Sequence, residues 1–230
     1  MKSLGTIICL LLLLGLNSCG VATSRESQAR AALNLSRSHF KYSVTIKDGP
    51  LDTVITFSTI NGVKERRGLL GIVWDDNFLR AFIDKKSGTK TFQVYNSIYY
   101  GGRWKFFTQA NYETPDGPKS TTLTIIDRRV VDCSDVRLTG GCNFNEHVAF
   151  LVDEKLLRWI GEADTVGQPI GWRYKLSARS GDDYQDGLLP AEIGGLLDRM
   201  DEYLATRGIG NVSVSPEIKG QWSGSYDTPR

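Results

Sequence analysis

The chain has no concentrated run of lysine and arginine, only two histidines and four cysteines, and no short signature of a recognised chemistry. Each absence excludes something. A nucleic-acid partner requires a dense cationic face to hold phosphate, and here 28 Lys and Arg are offset by 26 Asp and Glu. Without a G-x-S-x-G elbow, an H-E-x-x-H pair or a Walker loop, no acyl-transfer serine, zinc peptidase centre or nucleotide-phosphate loop can be named. No catalytic residue, metal site or cofactor follows from the sequence. A membrane-spanning helix takes about 20 apolar residues, and the leading apolar block, residues 4 to 16, ends at Asn17 and Ser18.

That block has an address of its own. Lys2, the apolar run and the small or polar residues behind it form the three-part pattern of a secretory signal. Leu16-Asn17-Ser18-Cys19 resembles the lipobox of bacterial lipoproteins. The resemblance implies that Cys19 is alkylated by diacylglycerol, that the signal is cut before it and that the freed amine is acylated. Several chains on one residue make a durable anchor, whereas one chain alone is marginal. Gly20, in place of the aspartate that retains such proteins at the inner membrane, implies the outer membrane, with the protein facing the periplasm. The implied organisation is a signal peptide over 1–18, a lipidated N-terminus and tether over 19–37, one β-rich domain over 38–208 and a flexible tail over 209–230.

Lys2 is the only charged residue of the first 18, so 27 Lys and Arg then face 26 Asp and Glu and the mature charge is near zero. The remaining length is enough for one real core. With Cys9 removed and Cys19 lipidated, Cys133 and Cys142 are left. In an oxidising compartment such a pair reads as a disulfide, closed around Gly140 and Gly141. A metal site with His147 would need the spacing C-x8-C-x4-H, which is no standard zinc pattern.

Periodicity supplies the fold class. In HFKYSVTIK, Phe40, Tyr42, Val44 and Ile46 alternate with polar residues, which predicts a half-buried strand. LDTVITFSTI predicts a second, and the stretch from Phe78 to Glu113 predicts three, turning at Lys86-Ser87-Gly88 and at Gly101-Gly102. STTLTIIDRRVVDC, FNEHVAFLV and GWRYKLSAR add one each, with connections too short for parallel crossovers. Asp153 is placed to cap a short helix carrying Leu156, Leu157 and Ile160. PAEIGGLLDRMDEYLATRG predicts a longer one, with Pro190 in its first turn, an apolar stripe from Ile193 to Leu204, and Gly208 as its stop. The expected class is α+β: a mainly antiparallel sheet or sandwich with a C-terminal amphipathic helix packed against it.

Candidate chemistry is sparse. His39 stands beside the first predicted strand, and His147 follows Glu146 in a strand, so those two side chains face opposite ways and form no dyad. KERRG (Lys64 to Gly68) reads as an exposed basic patch. Asp182, Asp183 and Asp186 cluster before the long helix, where a calcium loop or simple dipole complementarity would both fit, while Asp75, Asp76 and Asp84 lie elsewhere. The aromatic segment YNSIYYGGRWKFF offers Tyr95, Tyr99, Trp104 and Phe107 either as interior packing or as a surface patch for a sugar or protein. The resulting expectation is a lipid-anchored, non-catalytic envelope module that binds an envelope protein or glycan. The alternative is an anchored hydrolase whose carboxylates or histidine are paired only in space.

Overall fold

In the computed structural model the described residues are 34–63, 75–134, 141–163 and 171–208, with the backbone alone for Asp75. The expected signal peptide, Cys19 and most of the expected tether, the KERRG segment and the expected tail from residue 209 lie outside the described residues.

Ten strands and three helices are described. In chain order they are α1 (Arg37–Ser43), β1 (Thr45–Lys47), β2 (Val54–Ser58), β3 (Asp75–Asp84), β4 (Lys90–Gly102), β5 (Phe107–Tyr112), β6 (Lys119–Thr122), β7 (Thr124–Asp132), β8 (Cys142–Val152), α2 (Glu154–Glu162), β9 (Trp172–Ala178), β10 (Tyr184–Leu188) and α3 (Pro190–Arg207). A six-stranded sheet runs β1-β2-β3-β4-β8-β7 and a four-stranded sheet β10-β9-β5-β6. Each of these pairings is antiparallel. Only the buried Leu123 separates β6 from β7, so one stretch of chain edges the small sheet and then edges the large one. The class is α+β, as the periodicity indicates.

Alternation builds the core. Phe92, Val94, Ile98 and Tyr100 of β4 and Phe144, Val148, Phe150 and Val152 of β8 share the inner face of the large sheet. They meet Phe107, Ala110, Trp172, Tyr174, Leu176 and Leu188 from the small sheet. The α3 stripe of Ile193, Leu196, Leu197, Met200 and Leu204 closes the same core beside Phe57 and Leu79. Burying each such side chain contributes about 1.5–3 kcal/mol. Asp153 caps α2 by accepting from Lys155 N at 2.8 Å, and Gly208 ends α3 in the left-handed region at φ 64°.

Three expectations are corrected. The first predicted strand is instead the helix α1 followed by the short β1. Ser36 caps the helix by accepting from His39 N at 3.1 Å, Phe40 is wholly buried and Tyr42 is 80% exposed. Tertiary fit decides this. A Cβ on Gly195 would lie 2.6 Å from Phe40 Cβ and 2.7 Å from Lys41 N, so the bare glycine backbone of α3 is what lets α1 come so close. Arg37, expected in the tether, belongs to α1: it grips Asp198 through Nε and Nη2 at 2.7 Å each and Gly161 O through Nη1 at 2.7 Å. Second, β4 continues through Gly102, and the chain reverses afterwards, where Phe106 takes φ 55°. Third, Asp186 lies in the strand β10 instead of a loop.

Candidate functional site

The outer face of the large sheet gathers the most unusual surface chemistry. Odd-numbered residues of β4 turn away from the core, so Gln93, Tyr95, Ser97 and Tyr99 share that face. Pairing places Phe78 beside Tyr95 and His147 beside both Ser97 and Asp127. Phe78 and Tyr95 stack with ring centroids 4.8 Å apart. The Arg80 guanidinium lies 4.3 Å from the Tyr95 centroid and donates from Nη2 to Gln93 Oε1 at 2.6 Å. Arg80 Nε is buried and has no partner among the described residues.

Hydrogen-bond logic then fixes the protons. His147 Nδ1 is 2.8 Å from the Tyr95 hydroxyl and Nε2 is 3.1 Å from Arg129 Nη2. Burial and then the Arg129 cation hold the His147 ring below its ordinary pKa, so it is neutral at pH 7. An arginine can only donate, so Nε2 accepts and the ring proton sits on Nδ1. Nδ1 therefore donates to Tyr95, and the tyrosine's own O–H is left to donate elsewhere. Burial raises the Tyr95 pKa, which keeps that proton in place. Arg129 also pairs with Asp127 at 3.2 Å.

The four aromatic residues, read from the sequence either as interior packing or as a surface patch, divide between the two. Tyr95 and Tyr99 share the outer face, half-buried. Trp104 sits in the loop after β4, against Phe144 at 4.3 Å and stacked on Phe106 at 5.6 Å. Phe107 is wholly buried between the sheets and forms no part of any surface. The cause is Glu146, which is itself fully buried and accepts Phe106 N at 2.9 Å and Phe107 N at 3.3 Å. It also accepts from the Tyr100 hydroxyl and from Arg128 Nε at 2.7 Å. Arg128 in turn donates to Phe107 O at 3.0 Å. Glu146 and His147 do point to opposite faces. Cys133 and Cys142 are bonded, with Cα atoms 4.2 Å apart.

A second polar group lies where β3, β10 and the start of α3 meet. Tyr174 donates to Asn96 Oδ1 at 2.5 Å and accepts from Asn77 Nδ2 at 3.0 Å, while Asn77 also donates to Gly187 O at 2.8 Å. Asn96 Nδ2 is buried without a partner among the described residues. Tyr184 donates to Asp186 Oδ2 at 3.0 Å. Burial, with the charge of Asp186 adding to it, pushes Asp76 up to about 6. Burial pushes Glu192 up to about 8, opposed by its hydrogen bond with Thr59. Three carboxyl groups thus influence one another here.

Sequence reasoning noticed Asp76 and Asp186 only as members of separate acidic runs, and it missed Glu192, which reads as an ordinary first-turn helix acid. The calcium loop is not built: Asp183 accepts from Ala178 N at 3.0 Å and pairs with Lys175 at 3.0 Å. Among the described residues no group of three or more His, Cys, Asp or Glu could hold a metal ion. Among the same residues no helix is long and apolar enough to cross a membrane. No protein-family model matches the chain, and no curated protein or solved structure does so either.

Proposed function

We propose that the chain is a lipid-anchored cell-envelope binding module, held by Cys19 at the outer membrane, whose ligand is an acceptor-rich glycan seated on the outer face of the large sheet. The observation that carries this reading is the Tyr95 hydroxyl, whose proton is left unclaimed among the described residues once Arg129 and His147 have donated in sequence. Around it lie a stacked aromatic pair and the Arg80 cation. Sugars present hydroxyl and carboxylate oxygens beside apolar ring faces, which is the complement of that surface.

The test uses the mature lipidated protein and soluble envelope polysaccharide fractions, with binding followed by intrinsic fluorescence. Tyr95→Phe keeps the ring stack and removes one hydrogen bond, so affinity for the bound fraction should fall about 2- to 13-fold, as 0.5–1.5 kcal/mol implies. No binding by the native protein, or equal binding by the variant, would sink the glycan reading. The anchor is tested separately: Cys19→Ala should move the protein to the soluble envelope fraction, and unchanged fractionation refutes lipidation.

A second reading, an anchored hydrolase, has one observation in its favour. Asp76 and Glu192 have pKa values pushed into the range where carboxyls act as general acids, next to Asp186. Cleavage of the same polysaccharides, abolished by Asp186→Asn, would replace the binding reading with this one.

A further inference from the structure

The edge strand β7 is unlike the others. Among the described residues it pairs only with β8, and its other side is open. Eight of its nine residues are exposed, Arg128 alone being half-buried. Ile125, Ile126, Val130 and Val131 stand 42–50% exposed. Long apolar edges template pairing with other strands, so charge, bulges or a partner must govern them. Here bulges fall between Ile125 and Asp127 and between Val130 and Asp132, leaving Asp127 to Val130 as a regular run between them.

We propose that two copies of this protein pair antiparallel along β7, with a two-fold axis through Arg128. Residues directly opposite in an antiparallel pair share a face, so a symmetric pair must be centred on a residue. Asp127 and Arg129 lie on the outer face, opposite His147 and Asn145, while Arg128 and Val130 lie on the inner face, opposite Glu146 and Phe144. Centring on Asp127 sets aspartate against aspartate, and centring on Arg129 sets two outer-face arginines together. Centring on Arg128 sets each Asp127 opposite the other copy's Arg129, and sets Ile126 against Val130. The two Arg128 side chains at the axis are already turned inward, each bound to its own Glu146 at 2.7 Å and Phe107 O at 3.0 Å. Centring on Val130 would set Arg128 against Asp132, but these lie on opposite faces, Asp132 being opposite the outer-face Asn143 beyond a bulge; charge and face together select one register, and the occupant of the edge is a second copy. The two outer faces become one continuous surface of twelve strands.

The experiment is in-cell disulfide trapping of the full-length protein, read on non-reducing gels. The chain carries Ile126→Cys together with Val130→Cys; the two lie four residues apart in one strand, about 13 Å, too far to bridge within a copy. A dimer band from this pair, absent when Val130→Cys is present alone, is the expected result. Asp127→Arg should weaken the band at least tenfold, and Asp127→Arg combined with Arg129→Asp should restore it. Absence of the band, an equal band from Val130→Cys alone, or indifference to the charge reversal would each overturn the proposal. All these positions are exposed, and a circular dichroism spectrum like the native one confirms that each variant has folded. Ligand binding at Tyr95 plays no part in the readout, so this outcome is independent of the glycan reading.

Discussion

Glu192 should make the protein lose stability as pH rises through neutrality. Its carboxyl is buried at the start of α3, bonded to Thr59, and its pKa moves from 4.5 in the unfolded chain to about 8 in the folded one. A carboxyl raised on folding binds its proton more tightly in the native state. Its contribution is therefore complete below pH 4.5 and is lost as pH climbs through about 8. At about 1.4 kcal/mol per pH unit, the unfolding free energy falls by roughly 3 kcal/mol between pH 5 and pH 8. Glu192→Gln keeps the size and the Thr59 hydrogen bond but cannot ionise. Urea titrations at both pH values should show the native protein losing about 3 kcal/mol relative to the variant, or roughly 6–12 °C in Tm for a domain of this size. Asp76, raised from 3.8 to about 6, titrates lower and in both proteins, so the comparison removes most of its effect. A difference between the native and Glu192→Gln proteins that does not change with pH would show that Glu192 is not a buried neutral acid.

Three further outcomes follow from packing and charge. Glu146→Ala strips a wholly buried carboxylate from Arg128 and two backbone N–H groups, and should cost about 3 kcal/mol in urea midpoint analysis; a loss below about 1 kcal/mol would show that the group is not a structural tie. Gly195→Ala forces a Cβ against the backbone of α1 and should destabilise by about 1–3 kcal/mol, whereas a neutral result would mean that the helices separate freely. Replacing Cys133 and Cys142 with serine removes a ten-residue closed loop worth about 2.5 kcal/mol on the chain-entropy model, and a thiol assay of the native protein should find neither of these two cysteines reactive.

What the sequence made legible was whatever depends on near neighbours. The period of 3.6 in α3, the Asp153 cap and the alternation through β4 and β8 are local patterns, and all are present. Alternation also placed Glu146 and His147 on opposite faces. It failed at Phe40 to Ser43, where the same spacing suits a strand but Ser36 and the glycine pair of a helix about 150 residues away make α1, and it held only at Thr45 to Lys47. Tyr95 and His147 are 52 positions apart, and their contact depends on β8 lying beside β4, which no local period encodes. Phe107 turned inward because the backbone at Phe106, whose N–H is held by Glu146, takes a positive φ and resets the alternation. The carboxyl group around Glu192 was hidden because Asp76 of β3 lies more than a hundred positions before Asp186 and Glu192, and only the folded chain brings it to them.

The clasp of α1 onto α3 joins the first described element to the last. A chain delivered N-terminus first presents Arg37 and Phe40 long before Asp198 and Gly195 exist to receive them. The domain therefore cannot lock until its final helix has emerged, and every earlier stage leaves the face that α3 covers open. The contacts of α1 are thus among the last that the domain can complete, and the first described element waits on the last for its partner.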